Sequence, residues 1–199
     1  IFGLLFGCLG MLILHNLIRY AYTRSRSSLW LSGCETLLLI SMVLLLNILG
    51  PWLPDWHAQQ TPGAYIALLL TAPCGLMFAY RFFAPLGPHP LNRLLLGDIL
   101  FIVACGLLLL FVNTLPLNTI TYALVALAGL TMLFVSAWHW QKGYRPARFF
   151  VAAMVVFNLG TLIILPALLG LTLIEPQGLI AALLGFICVS GLLMSVALS

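Results

Sequence analysis

Seven runs of mostly apolar residues, joined by short polar or proline- and glycine-rich breaks, make a membrane the solvent in which this chain folds. The runs are 2–22, 29–49, 64–83, 94–112, 119–140, 149–171 and 178–198. At about 1.5 Å of rise per residue, each run covers the roughly 30 Å of a hydrocarbon core. The breaks read TRSRSS, PWLPDWHAQQTPG, APLGPHPLNR, NTLPLN, QKGYRPAR and TLIEPQ. Barrel strands alternate over about ten residues, so runs this long and this uniformly apolar are helices. Composition agrees: 63% of the 199 residues are hydrophobic and 6% are charged. A soluble domain carries about a quarter charged residues. The expected fold is an all-α membrane protein, a seven-transmembrane helix bundle forming a single domain over residues 1–199. Because it opens at Ile1 and stops at Ser199 within apolar sequence, the chain reads as the membrane part of a longer protein.

Charge sets the orientation. Arg19, Arg24 and Arg26 lie at or beside the first break, Arg81 and Arg93 at the third, and Lys142, Arg145 and Arg148 at the fifth. These account for all eight basic residues, whereas the second and sixth breaks carry Asp55 and Glu175. Under the positive-inside rule the basic breaks are cytoplasmic, which puts the N-terminus outside and the C-terminus in the cytoplasm. Rings suited to the headgroup level agree: Trp52, Trp56 and Tyr65 at the outer interface, and Trp30, Trp138, Trp140, Tyr20, Tyr22, Tyr80 and Tyr144 at the inner one. Eight basic residues spread over three breaks make no stripe that could follow phosphates, so nucleic acid is excluded as a partner.

Polar residues inside the runs are costly in lipid and therefore informative. Glu35 and Asp98 each lie about five residues in from a basic break, and His15, Arg19 and His139 fall at a similar level. Glu35 and Asp98 are expected to face the bundle interior and to find Arg19, His15 or an asparagine. His15, Asn16, Arg19, Glu35 and Asp98 form a candidate polar relay. Asn158, mid-way along the sixth run, is expected to hydrogen-bond across helices. Pro73 and Pro166 sit inside apolar runs and are candidate hinges, since each removes a backbone donor. Gly3 and Gly7 make a GxxxG pattern followed by Gly10, and Gly178, Ala182, Gly185 and Gly191 line the seventh run. Such stripes are expected to pack within the bundle, with dimerisation as the alternative.

The function classes narrow quickly. A retinal Schiff base needs a lysine in the seventh run, and the one lysine, Lys142, is in a break. Haem ligation has His15 and His139 to draw on, because His57 and His89 lie in breaks. There is no HExxH, and a single intramembrane aspartate makes no catalytic dyad. The cysteines Cys8, Cys34, Cys74, Cys105 and Cys188 all fall in the runs with no CxxC, so neither a disulfide framework nor a metal site is expected. No catalytic residue, metal or cofactor is expected in this segment, and no ligand-binding residue is assigned. A small-molecule transporter or channel is the alternative to a signal-passing bundle, although the middle of the runs is almost wholly apolar.

HNLIRY in the first run, LNILGPWLPDW leaving the second, KGYRPARFF leading into the sixth and GLLMSVALS at the end together resemble one family. It is the bacterial seven-transmembrane receptors with diverse intracellular signalling modules (7TMR-DISM). His15-Asn16-Leu17 stands where the family has a Tyr-Asn-Leu-like element, and Gly143, Arg145, Ala147 and Arg148 match its Gly-x-Arg-x-Ala-Arg-like pattern. The resemblance implies a multi-pass protein of the bacterial inner membrane, with an extracytoplasmic sensory domain before Ile1. After Ser199 it implies a cytoplasmic output module: a simple or hybrid histidine kinase of a two-component system, a diguanylate cyclase or a phosphatase. Such outputs usually need a dimer, so the expected partner is a second copy of the chain, with other sensor kinases as the alternative.

Overall fold

The structure is a computed structural model and describes residues 2–46, 48, 57–87, 90–111, 117–168 and 176–198. Most of the described residues are helical. The helices are α1 (Phe2–Thr23), α2 (Arg26–Leu45), α3 (His57–Phe83), α4 (Pro90–Phe111), α5 (Leu117–Gln141), α6 (Ala147–Leu168) and α7 (Pro176–Leu198), with a 3-10 turn at Ala84–Leu86. Six of these are long and apolar enough to cross a membrane, while α6 presents a shorter apolar stretch over 147–163.

The helices form a ring in the order α1, α2, α3, α5, α6, α7, with α7 returning to α1 and α4 lying outside across α3 and α5. Without a hydrophobic force between helices in lipid, packing relies on small residues that let backbones approach. Accordingly α3, the most buried span, turns Ala64, Ala67, Ala72 and Ala79 inward. Glycines on α4 and α6 admit a neighbour directly. A Cβ on Gly106 of α4 would lie 2.9 Å from Leu69 of α3, and one on Gly160 of α6 would lie 3.0 Å from Phe186 of α7.

The stripe of Gly3, Gly7 and Gly10 behaves otherwise. A Cβ at any of the three would meet nothing within 4 Å, so the expectation that this pattern packs within the bundle is corrected. These glycines point away from α2 and α7, the two helices on which α1 rests. In α7 the small residues divide. Gly191 is tightly enclosed and Gly185 is open, while Gly178 lies outside the described side chains.

The ends bearing the basic residues share one face. His139 at the end of α5 stacks on Phe83 at the end of α3, with centroids 4.5 Å apart, and Arg19 near the end of α1 reaches the last turn of α7. Phe78, Phe82, Phe150 and Tyr144 complete an aromatic cluster there, with neighbouring centroids 5.3–5.8 Å apart. At the opposite end Tyr65 meets Tyr122 edge-on at 6.0 Å. Trp52, Trp56, Asp55 and Glu175 lie outside the described residues.

Candidate functional site

One heptad-like stripe of α1 (Leu9, Leu12, Asn16) turns inward, and α2 brings Leu31, Glu35, Leu38 and Met42 to the same interior. Asn16 is fully buried and Glu35 is 3% exposed. Asn16 Nδ2 donates to both carboxyl oxygens of Glu35, at 3.2 Å to Oε1 and 3.0 Å to Oε2. The Asn16 Oδ1 accepts from Ser195 Oγ on α7 at 3.4 Å. Arg19, one turn further along α1, donates to the Ser195 carbonyl at 3.2 Å. Four hydrogen bonds thus tie α1, α2 and α7 together, roughly 10 Å in from the basic end of α1. Gly191 makes the approach of α7 possible, since a Cβ there would lie 3.1 Å from Glu35 Oε1 and 3.1 Å from Leu12.

Beside Glu35, inside the ring, lies a cavity of about 50 Å³ whose lining includes Cys34, Thr71, Phe78, Met132, Phe157 and Ser190. Space of that size holds a few water molecules and is smaller than the cavities that take up benzene. Its wall is coupled to the α2–α3 contact, because Cys34 Sγ donates to the Thr71 carbonyl at 3.6 Å. Ser41 Oγ reinforces that contact by donating to the Ala64 carbonyl at 3.0 Å.

The other members of the expected relay are placed apart from this network. His15 is exposed, on the side of α1 away from Glu35. Asp98 belongs to α4, which packs on α3 and α5, so the ring holds it away from Arg19 and His15 on α1. Its buried Oδ2 has no hydrogen-bond partner among the described residues, which corrects the expected pairing. His139 belongs to a second cluster. Asn92 Nδ2 donates to the Gly87 carbonyl at 3.4 Å, leaving Oδ1 to accept from His139 Nε2 at 3.2 Å. Asn158 is corrected as well: it donates to the Met154 carbonyl of its own helix at 2.7 Å. Its amide lies over Gly129, whose missing side chain offers no partner on α5.

Pro73 is accommodated within a continuous α3, where it leaves the Leu69 carbonyl without its helical donor. Pro166 falls within the bounds of α6, but its side chain is outside the described residues. Sequence reasoning passed over Ser195, Asn92 and Thr71, and saw Gly191 only as one member of a stripe. Serine and threonine are unremarked in apolar helices because they can bond to their own backbone. A glycine seen merely as part of a stripe gives no sign of which neighbour it admits. Among the described residues no group of histidine, cysteine, aspartate and glutamate could hold a metal ion.

No curated protein and no solved structure gives a significant match to the chain. The model of one family, described as 7TM diverse intracellular signalling, does match over residues 1–199. That match covers the whole chain and agrees with a bundle of apolar helices fastened by a few buried polar residues. The chain therefore belongs to the 7TM diverse intracellular signalling family, the membrane sensory domains of signalling receptors.

Proposed function

We propose that this bundle is the sensory and transducer domain of a bacterial inner-membrane receptor, relaying an extracytoplasmic or membrane-embedded signal to a cytoplasmic output module. The foremost candidate for that module is a simple or hybrid histidine kinase following Ser199. A sensory domain preceding Ile1 and a homodimer complete the assembly. Seven helices cross the bilayer in this reading, with the basic face in the cytoplasm by the positive-inside rule. Catalysis belongs to the output module and not to the bundle.

The observation that carries the reading is the network from Arg19 through Ser195 and Asn16 to Glu35. It fastens the last turns of α7, the helix leading to the output, to α1 and α2. Interhelical hydrogen bonds in a membrane are worth about 0.6 kcal/mol on average, so four amount to roughly 2 kcal/mol. Coupling free energies between sites are typically about 1–3 kcal/mol. The network is thus of a size to bias two packings of α7 without locking either, and a signal acts by binding one packing better than the other.

The test is output from the full-length receptor in membranes, measured for Glu35→Gln, Asn16→Ala and Arg19→Ala. Basal output is expected to shift by about fivefold or more while the protein still inserts. If output and thermal stability are unchanged in all three variants, the network has no part in signalling. A native chain with no signalling module after Ser199 would overturn the receptor reading itself.

A further inference from the structure

At the basic face, the end of α5, the turn into α6 and Leu86 after α3 border an open concavity of about 500 Å³. It is lined by Leu86, Trp138, His139, Lys142, Gly143 and Tyr144. That volume falls within the range of about 300–1,000 Å³ usual for small-molecule sites. The concavity has a fixed frame. Tyr144 N–H donates to the His139 carbonyl at 3.1 Å and Gly143 N–H to the Trp140 carbonyl at 2.9 Å. Gly143 is left-handed at φ 92°, and the two bonds with this residue make a Schellman cap. The Lys142 N–H takes the Trp138 carbonyl at 3.1 Å. Three carbonyls that would otherwise present the negative end of α5 are therefore occupied, which removes much of the repulsion an anion would meet there.

The walls divide by chemistry. The Lys142 ammonium is exposed and stands 5.1 Å from the centroid of the Trp138 ring. Tyr144 rests on Phe82 and Phe83, with centroids 5.8 and 6.2 Å away. Burial pushes its phenol above the ordinary value, so it stays an O–H donor. Leu86 and Trp138 are exposed apolar surface at the rim, and Gly143 leaves open space where a Cβ would stand. A cation and one phenol O–H donor beside an apolar rim, at headgroup depth, match one kind of abundant ligand. We infer that this concavity is a binding site for the phosphate of an anionic phospholipid headgroup, with Lys142 as its counter-ion and Trp138 and Leu86 against the glycerol and first acyl carbons.

The experiment is native mass spectrometry of the full-length protein in detergent. Phosphatidylglycerol, phosphatidylcholine and, as a soluble phosphate ester, glycerol 3-phosphate are offered separately. One phosphatidylglycerol per chain is expected to be retained in preference to phosphatidylcholine. Lys142→Ala should lower its occupancy by about tenfold, the scale of one lost hydrogen bond to a charged group. Trp138→Leu, which changes no charge and sits at an exposed rim, should also lower it, with helical content unchanged by circular dichroism. Arg26→Ala removes the same charge elsewhere on the face and should do less than Lys142→Ala. Glycerol 3-phosphate held as tightly as the lipid would keep the phosphate site but make its source soluble, overturning the lipid assignment. Diffuse attraction predicts equal losses of about fivefold from Lys142→Ala and Arg26→Ala and none from Trp138→Leu. That pattern, or equal retention of the two lipids, overturns the site.

Discussion

Truncating Asn16 to leucine is the sharpest test of how the α1–α2–α7 junction is held. The substitution removes the donor that bridges both oxygens of Glu35 and the acceptor used by Ser195. At 3% exposure Glu35 is buried, with only a small cavity beside it. An orphaned buried polar group costs about 1–3 kcal/mol, and the lost Ser195 bond adds about 0.6 kcal/mol. The expected destabilisation is therefore about 2–4 kcal/mol. Glu35→Leu should cost about 1–3 kcal/mol for the converse reason, since it strands the Asn16 amide. The double variant leaves neither orphan, so its cost should fall short of the sum by about 1 kcal/mol or more. The assay is reversible unfolding in mixed micelles for wild type, both single variants and the double. Distant, independent sites add to within about 0.3–0.5 kcal/mol. Additivity at that level would mean that the amide and the carboxyl do not act on one another, and the junction would need another explanation.

Four further outcomes follow from close approaches and from backbone geometry. Gly191→Ala should lower thermal stability by about 1–3 kcal/mol through overpacking against Glu35 and Leu12. Gly7→Ala, into open space, should be neutral or gain up to about 1 kcal/mol from helix propensity, and both are read by thermal unfolding in detergent. Gly143→Ala should cost about 1 kcal/mol or more, because its φ of 92° is strained for any residue with a Cβ. The same melt should show this without any change in helical content. A Cβ on Gly129 would lie 2.9 Å from Asn158 Oδ1. Gly129→Ala should therefore destabilise, and Asn158→Ala in the same chain should relieve it; failure of the rescue would show that the two helices meet elsewhere.

Glu35 and Asp98 show how far the sequence could be read. Both were visible as acids at one depth, because depth depends only on counting residues from a break at a fixed rise. Which acid would be paired depended on the azimuth of each helix and on its neighbours. Depth alone gives neither of these. Asn16, a member of the expected relay, is the partner of Glu35. His15, adjacent in sequence, is turned about 100° around the helix and is exposed. The glycines tell the same story: Gly7 and Gly191 read alike as members of small-residue stripes, yet one faces open space and the other the carboxyl of Glu35.

The sequence by itself determined the solvent and the kind of element, because a 20-residue apolar run in lipid has to satisfy its own backbone. It also determined the breaks, the gathering of basic residues at alternate ones and, through its motifs, the family. The tertiary structure decided that α4 stands outside a ring of the other six helices, which separates Asp98 from Glu35. It also decided that Ser195 and Gly191 of α7 complete the junction. Apolar helices in lipid have no strong hydrophobic preference for one another. Their order and rotation are settled by small local fits and a few buried hydrogen bonds, formed between residues that are far apart along the chain.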